Sequence, residues 1–270
     1  VPGSVTALNN LTIDNANGIT LNGSPTVSGT LTLTSGKITT GANTLIISST
    51  GSVSRTSGHI IGNLQKYMAT GAASGTFEIG TASAYDPVSV AFGSVSVAGN
   101  LTANVTSGEH PGIALSTIDS SKDVNDYWTM TNSGITFNNY SATFTFTSGD
   151  IDVGANTSVF GVGRYSGGWT YPTIGTRTST STQATGLTAF GGFAMGEMLS
   201  GITFTITANT NWSAIVGGPP TSADTVTVKN GATLTVDVTN AVCANLNLGI
   251  AGGGLNGNGT LSFSTGTSVL

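Results

Sequence analysis

Apolar residues alternate with threonine, serine or asparagine in short bursts from the start of this chain. "NLTIDN", "GITLNG", "PTVSG", "TLTLTSG", "KITTG", "NTLIISS" and "GSVSRT" follow one another within residues 1–65, each closed by a glycine, an asparagine or a serine-threonine pair. A period of two is the periodicity of a strand, and Thr, Val and Ile suit a pleated surface. The bursts hold about four to six residues, too few for long hairpin arms. Short strands with turns this frequent predict the coils of a β-solenoid, where inward Leu, Ile and Val of one coil pack on the next. Asn10, Asn15, Asn22 and Asn43 fall at the expected turns, where a left-handed residue is tolerated.

The pattern changes over residues 66–198. Strands lengthen: "PVSVAFGSVSVAG", "NLTANVTSG", "DYWTMTNSG", "SATFTFTSG", "SVFGVGRYSG". Twelve of the nineteen charged residues fall between Glu78 and Glu197, together with Trp128, Tyr140, Phe144, Phe146, Phe160, Trp169 and Phe190. Charge concentrates in stretches that read as loops, such as "STIDSSKDVNDY". An aromatic core with its own longer strands predicts an antiparallel β-sandwich of about seven to nine strands. Residues 199–270 return to the first style, almost uncharged and broken at glycine. Helix signals are absent throughout. The expected fold is all-β: short β-solenoid segments (1–65 and 199–270) flanking an antiparallel β-sandwich (66–198).

One pattern occurs near both ends. "GTLTLTSG" occupies Gly29–Gly36 and "GTLSFSTG" occupies Gly259–Gly266. The longer stretches Asn10–Gly36 and Asn245–Gly266 share three anchors in the same order: Asn-Leu-x-Ile/Leu, Leu-Asn-Gly, then Gly-Thr-Leu-x-Leu/Phe. Internal similarity of this kind is the sequence signature of a repeat architecture. It leads us to expect slightly more than one period of a tandem array, with the last residues beginning the unit that the first residues continue. The chain starts at Val1 without a signal peptide, which suggests a processed product or an excised segment.

Composition sharpens the picture. Only 7% of residues are charged, against about 25% in an ordinary domain. The net charge is −5, and seven basic residues are scattered along the chain. Nucleic-acid binding needs a basic patch to displace counterions, and none is visible. No basic amphipathic helix and no apolar run of about 20 residues occurs, so neither a nucleic-acid partner nor membrane insertion is expected. The single cysteine, Cys243, excludes an intrachain disulfide. Its apolar neighbours suggest a small buried hydrophobe.

Candidate chemistry is sparse. Asp119, Asp123 and Asp126 in "DSSKDVND" offer hard oxygens to Ca²⁺, although the spacing is not that of a helix–loop–helix calcium loop and Lys122 sits among them. Asp150 and Asp152 in "GDIDVG" form a second acidic pair. His59 suits a structural role, and Glu109 with His110 is the one local metal-like pairing. Twelve acids always permit some pair of carboxylates, so a glycosidase arrangement is not evidenced by their presence. No nucleophile motif of the G-x-S-x-G kind occurs, and no catalytic or cofactor-binding residue is assigned. "RYSGGWTYP" places Arg164, Tyr165, Trp169 and Tyr171 around two glycines, a composition suited to contact with a glycan or a protein partner. Thr-x-Thr runs suit an outward strand face, and lack the fixed coil period that an ice-binding face would need.

Longer stretches resemble the large cell-surface and adhesin-like repeat proteins of Bacteroidetes, many exported by the type IX system. "GHIIGNLQKYMATGAASGTFEIGTASAYDPVSV" is similar to the start of that family's sandwich domain, "SSKDVNDYWTMTNSGITF" to its Trp-containing strand, and "GLTAFGGFAMGE" to its closing motif. "NWSAIVGGPPTSADTVTVKNGATLTVD" resembles the opening of its β-solenoid unit. The resemblance covers residues 58–270. It implies an extracellular location, a repeat architecture and no reaction. Asp224-Thr225-Val226 matches the short text around which similar proteins are O-glycosylated, which points to Thr225. The reading is a non-enzymatic extracellular structural or adhesive unit that joins itself head to tail and contacts glycans or surfaces. The alternative is a carbohydrate-binding module or a polysaccharide-active solenoid.

Overall fold

The computed structural model describes residues 1–199, 201–221, 224–229, 231–239, 241–249 and 259–263. They are all-β apart from three three-residue 3-10 turns, and no helix among them is long and apolar enough to cross a membrane. Two compact units divide the chain. One comprises Val1–Ala114, Ile118–Ser166 and Pro172–Glu197; the other comprises Leu115–Thr117, Gly167–Tyr171 and Met198–Leu270.

The first unit begins as a β-solenoid. In one row Ala7 lies opposite Thr26, Thr26 opposite Ile46, and Ile46 opposite Gln65. In a second row Leu31 sits between Leu11 and Val53. In a third, Ile38 sits between Ile19 and Ile60, and Ile60 pairs with Ile79. Every pairing is parallel, so the chain returns to each row after 19 to 22 residues. The alternation read from sequence is what fills the coils. Leu31, Leu33, Ile38, Leu45, Ile60 and Leu64 are completely buried, each worth about 1.5–3 kcal/mol in burial. The intervening Thr and Ser face outward, where the Thr30 and Ser52 hydroxyls meet at 3.2 Å.

Solenoid corners leave backbone groups without a ladder partner, and polar side chains supply one. Asn43 Nδ2 donates to the Leu21 carbonyl at 3.0 Å, and Asn63 Nδ2 donates to the Asn43 carbonyl at 3.3 Å. Asn104 Nδ2 then donates to Asn63 Oδ1 at 2.8 Å. At another corner the Thr30 N–H donates to Asn10 Oδ1 at 2.7 Å. Of the turn asparagines expected from sequence, Asn10 and Asn43 thus bond from coil to coil, while Asn15 bonds within its own turn, donating to the Gly18 carbonyl and accepting from the Asn17 N–H.

Strand His59–Met68 is where the architecture changes. Its one edge continues the parallel rows, through Thr44–Asn63 to Ile47–Lys66. Its other edge pairs antiparallel with Gly99–Ser107, from Met68–Gly99 to Leu64–Ala103. The same sheet continues antiparallel through Asp126–Ser133, Gly191–Met198 and Gly161–Tyr165. A second antiparallel sheet runs Thr173–Thr178, Ser181–Leu187, Tyr140–Thr145, Val88–Phe92, Ser74–Phe77. The sheets meet through aromatic rings: Phe144 lies 5.6 Å from Trp128 and 5.0 Å from Phe193. Solenoid and antiparallel residues belong to one continuous core, from Ile13 to Met195, so the expected boundary at residue 65 falls inside a strand.

The second unit carries parallel coils again. Val226 lies between Phe204 and Leu246, and Leu234 between Thr210 and Leu261. It has its own core of Phe204, Ile206, Trp212, Ile215, Val226, Val228, Ala232, Leu234 and Val236. Cys243 is half-buried at its border, with its thiol free.

Two local expectations differ from what is found. "KITTG" and "NTLII" form one strand, Lys37–Ile47, because Gly41 at φ +59 bends the chain without ending the ladder. "STIDSSKDVNDY" is not a loop: Ile118–Asp123 and the start of Asp126–Ser133 are strands, and their acids at Asp123 and Asp126 point inward. Polar composition there hides buried positions.

Candidate functional site

The repeated octapeptide is the feature that most directly links sequence to structure. Thr30–Ser35 and Thr260–Phe263 are both parallel strands of a coil. The glycine before each has no room for a side chain. A Cβ on Gly29 would stand 2.6 Å from the Asn9 carbonyl oxygen, and one on Gly259 would stand 2.7 Å from Val228 Cβ. In both places the preceding coil passes close by, which is why glycine opens the pattern. The Leu-Asn-Gly anchor of the second copy, at 255–257, lies outside the described residues.

The outermost described strands of the second unit differ from the inner ones in one respect. Leu248 stacks on Val228, and Phe263 on Val236. Val228 and Val236 are buried, whereas Leu248 is 43% and Phe263 is 42% exposed. Among the described residues, Asn245–Leu248 and Thr260–Phe263 are edge strands, with backbone groups available for another strand. In the first unit Ala7–Leu8 and Leu11–Asp14 hold the edge positions of their rows.

The three acids singled out from sequence do not converge. Asp119 is half-buried and bonds locally within its strand, its Oδ1 accepting from the Ser121 N–H at 3.0 Å and the Ser121 hydroxyl at 2.7 Å. Those bonds hold its carboxyl below the ordinary range. Asp123 and Asp126 are buried and belong to different groups. Asp126 faces Asp86 and Asp150, while Asp123 faces Glu109 and Asp152. Burial, then the facing carboxylates, push Asp86 up to about 8 and Asp126 up to about 7. Asp123 moves the same way for the same reasons. The pair Asp150 and Asp152 was legible as a pattern; Asp86 and Glu109 were brought to it by topology alone.

The aromatic segment is largely occupied with packing. Arg164 Nη1 donates to the Phe190 carbonyl at 3.0 Å. The Tyr165 ring lies 4.9 Å from His110, which also stands edge-on to Tyr127 at 5.1 Å. In the second unit the Tyr171 hydroxyl accepts from the Thr117 N–H at 2.6 Å, and its ring fills the space beside Gly218. Trp169 is half-buried on the short strand Trp169–Thr170. Of the four, Tyr171 is the one whose polar tip and ring are both accounted for by packing, so it is a poor choice for a ligand platform.

His59 is buried and hydrogen-bonded through Nε2 to the Thr81 carbonyl at 2.8 Å, in keeping with a structural role. Asp224 is 1% exposed. Its Oδ1 accepts from the Ile202 N–H, and its Oδ2 accepts from the Thr221 N–H and hydroxyl at 2.7 Å. That turn role accounts for the aspartate of "DTV". Thr225 is half-buried, with Oγ1 at 3.5 Å from Asn245 Nδ2 of the next coil. Comparison with known protein families, with curated proteins and with solved structures finds no match.

Proposed function

We propose that this chain is a non-enzymatic extracellular repeat unit of a long surface protein or filament, of the kind its sequence resembles in Bacteroidetes, and that such units join end to end. The two antiparallel sheets are read as the β-sandwich of the unit, and the parallel coils as its connecting solenoid. The observation that carries this reading is the octapeptide: one sequence pattern forms a coil strand twice, each time behind a glycine pressed against the preceding coil. Two further features support it. Coils contact only their neighbours, so a solenoid extends by adding coils. The edge strands of the second unit expose Leu248 and Phe263, which a further coil would cover. A heterologous contact of that type propagates into a fibre instead of closing into a dimer.

Sedimentation velocity over a concentration series, with a glycan array on the same preparation, tests the proposal. The expected result is concentration-dependent growth beyond the 26.9 kDa chain, suppressed by Leu248→Pro: Asn245 and Gly249 donate to the inner strand, so the alternate N–H of Leu248 faces the free edge, where proline is tolerated but cannot donate to a further strand. A monodisperse monomer with tight, Trp169-dependent binding to one polysaccharide would overturn it in favour of a carbohydrate-binding module.

A further inference from the structure

The buried carboxylates of the first unit have no counterpart in that proposal. Among the described residues two triplets gather: Asp86, Asp126 and Asp150, and Glu109, Asp123 and Asp152. Within each, one oxygen from every residue lies within 4.8 Å of the others. Ligands of one Ca²⁺, at about 2.3–2.6 Å from the ion, stand at most about 5 Å apart, so each triplet matches the span of a single ion.

The second observation is that the deepest members lack partners. Asp86 and Asp123 are 0% exposed and Asp126 is 1% exposed. Both carboxylate oxygens of Asp86, both of Asp123 and Oδ2 of Asp126 receive no hydrogen bond of ordinary length and angle; the uncharged polar groups beside them are the Thr81 N–H at Asp86 and the Ser107 hydroxyl at Asp126. Buried charged groups are ordinarily paired or bound to metal, since an uncompensated one is costly. The charges facing these three are other carboxylates: Asp150 and Asp126 at Asp86, Glu109 and Asp152 at Asp123, Asp150 at Asp126. Lys122, the basic residue in the same sequence stretch, donates elsewhere, to the Val153 carbonyl at 2.9 Å.

The rest of the arrangement is built to hold these acids in place. A bridge between Val124 and Ile151 ties the two segments together. The Asn125 N–H donates to the Asp150 carbonyl at 2.7 Å, and the Asp152 N–H donates to the Asp123 carbonyl at 3.0 Å. Asp150 Oδ2 is fixed by the Thr147 N–H and hydroxyl. Asp152 is fixed through both oxygens, by Asn125 Nδ2 at 2.8 Å and the Asp123 N–H at 3.2 Å. The indole N–H of Trp128 donates to the Asp86 carbonyl at 2.9 Å. Acids from distant parts of the chain are therefore aimed at common points by a rigid frame.

We infer that these are two cation sites, each taking one hard divalent ion of the Ca²⁺ type: Asp86, Asp126 and Asp150 hold one, and Glu109, Asp123 and Asp152 hold the other. Oxygen-only donors select Ca²⁺, Mg²⁺ or Mn²⁺ over softer metals, and three carboxylates per site exceed the one or two that Mg²⁺ usually takes. Bound ions would fasten Asp150 to Asp86 and strand Asp126–Ser133, and Asp152 to Glu109 and strand Ile118–Asp123, and so stabilise the first unit.

The test uses the full chain, stripped with chelator and then dialysed against Ca²⁺ up to about 10 mM, above the ~10⁻⁴–10⁻³ M range of extracellular calcium modules. Bound metal is counted by atomic emission, and melting temperature is read in parallel. Two Ca²⁺ per chain and a higher melting temperature with Ca²⁺ than with chelator are expected. Asp86→Asn and Asp123→Asn should each lower the count from two to one, and Asp119→Asn should leave it at two. If either buried variant fails to fold, Tb³⁺ on the native chain replaces it: emission sensitised through Trp128 and displaced by Ca²⁺ is expected for the site beside Asp86. No retained Ca²⁺ with an unchanged melting temperature would overturn the inference, leaving carboxyl groups that share protons. So would absence of Tb³⁺ emission, or a count that falls only for Asp119→Asn.

Discussion

Leu31→Ala is the sharpest probe of the coil. Leu31 is fully buried on Thr30–Ser35, held between Leu11 of one coil and Val53 of the next. Leu to Ala deletes three methylene equivalents, about 2.4 kcal/mol of transfer free energy. Parallel ladders on both sides fix the neighbouring strands, so the space collapses only in part and a cavity cost is added. The total should be about 3–4 kcal/mol, within the usual range for buried Leu→Ala, or roughly a hundred- to thousandfold in the folding equilibrium. Urea denaturation followed by tryptophan fluorescence measures it, because Trp128 reports the first core and Trp212 the second. Single-tryptophan versions, made with Phe replacements, separate the two signals. The Trp128 transition should move to lower urea while the Trp212 transition stays in place. A loss below about 1 kcal/mol would refute close coil packing at Leu31, and an equal shift at Trp212 would refute two separate cores.

Three further outcomes follow from individual residues. Burial holds the His59 imidazole below its ordinary pKa of 6.5, with Lys37 and Arg55 adding repulsion. The neutral ring is therefore preferred in the folded state; its contribution is complete above about pH 6.5 and lost as pH falls below it, at up to about 1.4 kcal/mol per pH unit. A pH series of melting curves should show that loss, reduced in His59→Gln. Gly29→Ala should cost about 1–3 kcal/mol by overpacking, whereas Gly75→Ala, whose Cβ would meet Met68 Cε at an ordinary 3.6 Å, should be neutral or gain up to about 1 kcal/mol; equal effects in denaturant titrations would contradict the close approach at Gly29. Lys66 Nζ lies 2.6 Å from Glu78 Oε2, with the side chains 14% and 12% exposed. Lys66→Met should cost about 3 kcal/mol by stranding Glu78, and adding Glu78→Gln should recover much of it; a double-mutant cycle showing simple additivity would argue against the pair.

The solenoid was readable because its rule is local. Alternation in "TLTLTS" places Leu31 and Leu33 inside without reference to any distant residue, and Asn10 and Asn43 were legible as corner residues, where they bond to a neighbouring coil. Register was not readable: nothing in the text says that Leu31 meets Leu11 and Val53, since many Thr-Leu pairs would pair equally well. The junction was missed for a related reason. His59–Met68 obeys strand periodicity throughout, and its change of partner from parallel to antiparallel leaves no mark on its own residues. The carboxylate groups show the limit most clearly. Asp123 and Asp126 were noticed for their closeness in sequence to Asp119, yet the fold sends them to different triplets and completes each with Asp86 or Glu109 from other strands or loops. Proximity along the chain was the only signal on offer, and in a sheet whose partners lie far apart it is a weak one.

Electron microscopy of the native material tests end-to-end joining most directly. Filaments with regularly repeating units, giving a layer line near 4.8 Å from stacked parallel coils, are the predicted result. Dispersed single particles of one chain each, at every concentration and without that spacing, would contradict it.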